Sequence, residues 1–125
     1  MPERIPEPTR KFLARHIYSV GQLEILLHAR SRPNELLTPE TVAREERVNP
    51  ERASEVLGDL AEQGLLEEAP EGFRYNPKQD LARQIDAVAN AYRSYRVTVI
   101  NLIFSTPSEE LRNFADSFRV RKHKK

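Results

Sequence analysis

Two helix-start signals in the middle of the chain constrain its fold more than any other feature of the sequence. Thr38 is followed by Pro39, and Asn49 is followed by Pro50. In each pair the first side chain can cap a helix, and the proline has the backbone angle of a first helical position. Because the two signals are close together, the first helix must be short, over 39–46, and must meet the second at a tight turn. This pattern is typical of a helix-turn-helix.

A small β-hairpin is predicted directly after the second helix. That helix covers 50–63 and stops at Gly64, which can take the left-handed conformation that a helix end prefers. Apolar residues then flank a turn that contains Pro70 and Gly72, as expected for two short strands. A hairpin in this position is a wing.

The segment before the helix-turn-helix is also predicted to be helical. Ser19 can cap a helix that ends near Ala29, and "RKFLARHI" predicts a shorter helix before it. Three prolines among the first eight residues disfavour regular structure there. The fold class is therefore mainly α with a small β-hairpin wing. The predicted divisions are a flexible arm at 1–8, a winged helix-turn-helix at 9–76, C-terminal helices at 77–118 and a basic tail at 119–125.

A long C-terminal helix is predicted to begin after Asn76 and Pro77 and to end near Phe104. Some of its apolar residues are spaced alternately by four and three, which makes a heptad seam. The seam consists of Leu81, Ile85, Val88, Tyr92, Tyr95, Val99 and Leu102. It favours a homodimer through this helix, and packing against its own domain is the alternative. A short last helix is predicted to start at Thr106 and Pro107.

The formal net charge of +1 conceals a strong asymmetry along the chain. Residues 35–72 contain eleven acids and three arginines, a net charge of −8, so the rest of the chain carries +9. The last seven residues, "RVRKHKK", hold five of these positive charges. Such a split indicates separate surfaces with separate partners. The alternative is a solvated acidic face and an inert basic end.

The stretch "LTPETVAREERVNPERASEVLGDLAEQGLLEE", with the later "GFRY", resembles the winged helix-turn-helix of bacterial transcription regulators of the MarR-like superfamily. The resemblance covers 20–75 and indicates no subfamily. In such regulators the second helix lies in the major groove and the wing touches the DNA backbone. The resemblance therefore implies that Arg52, Ser54 and Glu55 approach bases. It also implies that Arg74 approaches a phosphate or the minor groove.

The charge of the second helix disagrees with that role. Its predicted buried stripe is Ala53, Val56, Leu57 and Leu60. The opposite face carries Glu51, Glu55 and Glu62, with Asp59 on its flank. DNA binding draws much of its affinity from the neutralisation of phosphates, and an acidic helix cannot supply it.

Two readings of the charge pattern follow. In the first, a regulator contacts DNA through Arg74 and its basic ends, for which the tail offers Arg121, Lys122, Lys124 and Lys125. In the second, no DNA is bound, and the acidic helix meets a basic protein partner through Glu51, Glu55, Asp59 and Glu62. A solvated face without a partner is the third possibility.

No pattern of residues in the sequence predicts catalysis. The chain has no cysteine, and its three histidines show no metal-ligand spacing. His16 and His28 are predicted to lie at the surface or its edge. We therefore predict a non-enzymatic protein without a metal or cofactor. The charged N-terminus and the lack of an apolar run of about 20 residues predict a cytoplasmic protein that does not enter a membrane.

Overall fold

The computed structural model describes residues 5–105. The fold is mainly helical with a small antiparallel hairpin, as predicted. Its elements are α1 (Glu7–His16), α2 (Val20–Ser31), α3 (Pro39–Glu46), α4 (Pro50–Glu62), β1 (Glu67–Ala69), β2 (Gly72–Arg74), α5 (Gln79–Ser94) and α6 (Arg96–Ser105). The predicted last helix and the basic tail lie outside the described residues.

The predicted helix starts of α3 and α4 are confirmed by their caps. The Thr38 hydroxyl accepts a hydrogen bond from the Thr41 amide at 3.2 Å. The Asn49 side-chain oxygen accepts one from the Arg52 amide at 2.8 Å. Each bond satisfies an amide that the first turn of a helix leaves without a partner. Between the two helices the chain turns at Arg47, which has a left-handed backbone with φ of 60°.

Helix α1 begins earlier than the sequence indicated. The predicted arm was 1–8, whereas the helix starts at Glu7 and Ile5 is buried. Pro8 lies in the first turn of α1, where a residue needs no amide hydrogen and the fixed proline angle suits a helix. The prolines therefore start this helix and do not prevent it.

The predicted long C-terminal helix is divided in two. Tyr95 leaves the helical conformation, with φ of −135° and ψ of 55°, and separates α5 from α6. The Tyr95 amide donates to the Ala91 carbonyl at 2.7 Å and closes α5, and the Val99 amide donates to the Tyr95 carbonyl at 2.9 Å at the start of α6. The change of direction lets α6 pack against α1 as well as α5.

The helices pack in two groups. In the first, which we call the α2–α4 group, α3 packs on α4, α2 contacts both, and α4 also contacts β1. In the second, the α1/α5/α6 group, each helix packs against the other two. Ion pairs and hydrogen bonds join the groups, including a 2.9 Å contact between Arg30 of α2 and Asp86 of α5. Fully buried side chains from both groups form one core, among them Leu23, Leu26, Leu57, Leu60 and Ile85.

The hairpin is attached to the chain segment before α3. Leu37 and Phe73 exchange backbone hydrogen bonds of 2.7 and 2.8 Å, so Leu37 adds one bridge to the edge of β2. Gly72 has φ of 158°, and a Cβ atom on it would lie 2.6 Å from the Leu37 carbonyl oxygen. Only glycine lets the two backbones approach this closely.

Candidate functional site

The outward face of α4 is acidic, as predicted. Glu51, Glu55 and Glu62 are all exposed, and we call these three residues the acidic face. The predicted buried stripe is confirmed and consists of Ala53, Val56, Leu57 and Leu60. Because these four side chains anchor α4 in the core, the helix cannot rotate to hide its glutamates.

The candidate base-contacting residues of α4 do not add a positive surface. Arg52 is the only cation of the helix, and its guanidinium lies 3.7 Å from the Glu55 carboxylate. Ser54 is exposed beside them. Both side chains of the pair face water, so the contact contributes little stability. It does, however, place a negative charge beside the one positive charge.

Asp59 borders the acidic face, but it is half-buried and its carboxylate turns toward the start of α2. One of its carboxylate oxygens accepts hydrogen bonds from the Tyr18 hydroxyl at 3.1 Å and from the Gln22 amide at 3.0 Å. The Gln63 amide donates to the same oxygen at 3.0 Å. Gln22 is fully buried, so its amide needs acceptors inside the fold, and Asp59 is one of them. Asp59 was a candidate partner contact, and its bonds instead fasten α4 to the start of α2.

His16 belongs to the same junction, which we call the polar junction: His16, Tyr18, Gln22, Asp59 and Gln63. The His16 ring approaches the Gln63 side-chain oxygen at 2.6 Å, and the His16 carbonyl accepts from the Gln22 amide at 3.2 Å. Sequence reasoning placed His16 at the surface and missed this network. The available signal was Gln22 itself, a polar residue at helical spacing with Ile25, Leu26 and Ala29.

The second predicted edge histidine, His28, is nearly buried between two acids. Its side chain is 11% exposed, and its ring nitrogens lie 3.0 Å from Glu45 and 3.1 Å from Glu46. These contacts join α2 to the end of α3. His28 therefore lies at the contact between two helices of the α2–α4 group.

On the hairpin, the candidate DNA contact Arg74 faces an acid on the neighbouring strand. Arg74 pairs with Glu67 in the strand register, and their charged groups are 3.5 Å apart. The Asn76 amide also donates to Glu67, at 3.1 Å. Arg74 is half-exposed, so it remains accessible from solvent. A phosphate would have to compete with Glu67 for its guanidinium.

The predicted dimer seam lies largely inside a single chain. Ile85, Val88, Tyr92 and Val99 are buried in the core, and Leu81, Tyr95 and Leu102 are half-buried against it. The break at Tyr95 and the packing of α6 on α1 cover the seam. The four buried residues are therefore core residues of one chain, which was the alternative left open by the sequence, whereas the other three remain partly exposed.

Tyr92 shows how firmly the seam is held. Its hydroxyl donates to Glu24 of α2 at 2.6 Å, and the Arg96 guanidinium lies 4.8 Å from the centre of its ring. Burial, followed by the hydrogen bond and the charge of Glu24, raises the pKa of Tyr92 to about 12, although Arg96 acts in the opposite direction. The phenol therefore stays neutral and keeps its hydrogen bond at physiological pH.

Tyr75, directly after the hairpin, lies beside the Arg30 and Asp86 ion pair. Burial raises the pKa of Tyr75, the Asp86 charge adds to the rise, and Arg30 opposes it. Its hydroxyl is buried and has no hydrogen-bond partner among the described residues. The charges of the contact that joins the two groups of helices therefore act on Tyr75.

Comparison of the chain with protein-family models, with curated proteins and with solved structures finds no match. Among the helices described for residues 5–105, none is both long enough and apolar enough to span a bilayer. The tail candidates Arg121, Lys122, Lys124 and Lys125 lie outside the described residues. Within the described residues, the candidate site consists of the acidic face, the hairpin and the contacts that position them.

Proposed function

We propose that this chain is a non-enzymatic regulatory protein of the winged-helix type in which α4 is not the main DNA-contacting element. The observation that carries the proposal is the acidic face. Glu51, Glu55 and Glu62 point outward from a helix that its buried stripe holds in place, and the single arginine of α4 lies beside Glu55.

The order of the elements supports a winged helix. Two capped helices, α3 and α4, meet at the Arg47 turn, and a hairpin follows α4 at once. The bridge between Leu37 and Phe73 adds a third segment beside the hairpin, which fixes it against the helices. The MarR-like resemblance rests on this same stretch of sequence.

The sign of the charge argues against α4 as a reading helix. Duplex DNA carries one negative charge per roughly 1.7 Å of its axis, and each phosphate contact gains affinity by the release of a counterion. Three outward glutamates in the major groove would oppose that gain. In this proposal DNA contact comes from Arg74 of the hairpin and from the basic ends of the chain.

A basic protein partner is the second candidate, favoured by the grouping of the three glutamates on one face. A rigid acidic face can speed the encounter with a positively charged surface, and its rim charges set specificity more than affinity. In this case α4 would be the contact itself, and DNA would not bind.

The proposal includes a homodimer, for which the buried seam is not an available surface. Val97 and Phe104 of α6 are the large apolar side chains most exposed among the described residues, at 69% and 64%. A second copy would have to pack on this face. Light scattering of the native protein at tens of micromolar tests the claim directly, and a monomer mass contradicts it.

One paired titration tests the choice between DNA and protein. The native chain, Arg74→Ala and a variant with Glu51, Glu55 and Glu62 changed to Gln are titrated with pooled genomic DNA fragments at low and moderate salt. We expect Arg74→Ala to weaken binding. We expect the Gln variant to keep or increase it, because repulsion from phosphates is relieved.

A matched control separates the position of the charges from the change in net charge. Glu35, Glu40 and Glu71 are exposed and lie outside α4, so changing them to Gln alters the net charge by the same amount. If the α4 variant alone loses a specific target, the glutamates read bases and the proposal for α4 is wrong. If no form binds DNA at low salt, the protein-partner candidate replaces DNA contact.

A further inference from the structure

A groove runs between α1 and α5, on the side of the molecule built by the α1/α5/α6 group. It consists of two openings, each of about 380 Å³. Pro8 and Gln84 line both openings, so they adjoin each other. Arg83 lines the first, and Lys11 and Arg15 line the second. We call Lys11, Arg15, Arg83 and Gln84 the basic groove.

Two cations of the basic groove have no ion-pair partner among residues 5–105. Lys11 and Arg15 are exposed and lie four residues apart on α1, so their side chains are neighbours on one helix face. Neither makes an ion pair with another residue of the described chain. Within this part of the chain, a ligand can therefore bind both without first displacing a carboxylate.

Arg83 and Gln84 extend the groove along α5. Arg83 pairs with Asp80 at 3.0 Å, but both side chains are largely exposed, at 67% and 83%. An ion pair in water contributes little, so an anion can replace Asp80 at low cost. Gln84 is exposed and lines both openings, and its amide, which makes only a long 3.4 Å hydrogen bond to the Asp80 carbonyl, can donate to a ligand.

The helices that surround the basic groove carry a net positive charge, which attracts a polyanion. Helices α1, α5 and α6 carry six lysines and arginines against three acids, a net charge of +3. The chain from residue 35 to residue 72, which holds α3, α4 and most of the hairpin, carries −8. The protein field therefore directs a polyanion toward the groove and away from α4.

We propose that the basic groove binds the phosphate backbone of a nucleic acid. Paired cations with amide donors in a concave surface suit successive phosphates, which carry charge but no sequence information. The inference rests on the proposed function only in taking a nucleic acid as partner. It requires neither Arg74 nor the tail.

A membrane surface fits the groove less well. Binding to a bilayer interface needs apolar side chains that enter the boundary between headgroups and acyl chains. Phe12, the aromatic residue of the lining, is 2% exposed and belongs to the core. The groove thus offers charge and hydrogen bonds with no exposed aromatic side chain.

The salt dependence of DNA binding tests the proposal. The full chain and a Lys11→Gln/Arg15→Gln variant are titrated with a short duplex of mixed sequence across a range of NaCl concentrations. If both side chains contact phosphates, the slope of log K against log salt becomes shallower by about 1.8 in the variant. The affinity falls by a similar factor for unrelated duplex sequences.

The control is a variant with the same loss of charge outside the groove. Arg44 of α3 and Arg93 of α5 are both exposed and do not line the groove. Arg44→Gln/Arg93→Gln should keep the native slope. An equal change of slope in both variants would show a general effect of net charge and overturn the proposal. Circular dichroism confirms that each variant is folded, and Lys11→Ala/Arg15→Ala provides a second pair if the Gln variant is not.

Further outcomes separate this inference from the proposed function. If Arg74→Ala weakens binding and the groove variant does not, the groove proposal fails and the hairpin contact stands. If only the groove variant weakens binding, the groove stands and Arg74 is not a contact. Preferential binding of the native chain to anionic vesicles over DNA, or no binding of DNA at low salt, also overturns the groove proposal.

Discussion

Helices α4 and α1 both present charged side chains to solvent, and their faces have opposite signs. On α4 the outward residues are Glu51, Glu55 and Glu62, whereas on α1 they include Lys11 and Arg15. Both helices are anchored, since each buries apolar residues in the common core. The difference shows that a net charge of +1 describes neither surface. The location of the charges, and not their sum, determines which partner each face can bind.

The comparison requires that α4 and α1 share one folded core. A charge buried in that core should lower the stability of the fold more than any other change proposed here. Val99 of α6 is fully buried, so Val99→Asp should lower the free energy of unfolding by roughly 4 kcal/mol or more. Urea unfolding followed by circular dichroism measures the change. Gln79→Asp is the control, because Gln79 is exposed at the start of α5, away from both the core and the Val97 and Phe104 face, and a change of about 0.5 kcal/mol or less is expected.

The same pair of variants distinguishes a core from a dimer seam. If Val99 lies in the core of one chain, Val99→Asp unfolds the protein, and any change in mass follows from unfolding. A Val99→Asp protein that keeps its unfolding free energy but loses half its mass in light scattering would restore the seam as a dimer interface.

A smaller loss of stability is expected at Asp59, an acid of α4 that serves the fold, in contrast to the exposed acids of the acidic face. Asp59→Ala removes one of the two acceptors of the buried Gln22 amide and should cost about 1–3 kcal/mol in unfolding free energy. Glu55→Ala, on the same helix but exposed, should change stability by about 0.5 kcal/mol or less. Equal costs at the two positions would mean that Asp59 does not serve the polar junction.

Alanine substitutions at two glycines, one in the hairpin and one in α4, should change stability in opposite directions. Gly72→Ala places a methyl group against the Leu37 carbonyl oxygen and should lower the unfolding free energy by more than about 1 kcal/mol. Gly58→Ala meets nothing within 4 Å in the middle of α4 and should raise it by about 0.5–1 kcal/mol. Thermal unfolding should therefore shift in opposite directions, and shifts of the same sign would contradict the tight approach of the hairpin to Leu37.

The smallest expected effect is a loss of stability at high pH, caused by ionisation of Tyr92 at the contact between α2 and α5. The pKa of Tyr92 is raised from 10.0 to about 12, so the folded state holds its proton longer than the unfolded chain. The associated stability is fully present below pH 10 and is lost as the pH rises toward 12. Tyr92→Phe should remove this part of the alkaline loss. An ultraviolet titration in which every tyrosine ionises near pH 10 would disprove the rise.

Much of the α2–α4 group could be predicted from local signals. The caps at Thr38 and Asn49 and the left-handed glycine at Gly64 each act within one turn of the chain, so they can be recognised without tertiary structure. The acidic face follows from helical spacing alone, because the buried stripe determines which residues point outward. The order of helices and hairpin follows from the same signals.

The misplaced predictions share a different cause. The heptad seam correctly identified buried positions, but periodicity cannot say whether a helix packs on its own chain or on a second copy. The break at Tyr95 involves neither proline nor glycine, so it carried no local signal. Asp59 and His16 looked exposed because their partners lie far away in sequence, in α2 and α4.

The sequence by itself determined which segments form helices, where α3 and α4 begin, and which side of α4 is acidic, because caps, turns and spacing operate over a few residues. Tertiary structure alone decided that α1 and α5 align their cations along one groove, that the seam is internal, and that Asp59 supports the core. These features depend on contacts between residues distant along the chain, such as Tyr92 with Glu24 and Arg30 with Asp86. No local pattern records such pairings, since they arise only when the helices pack.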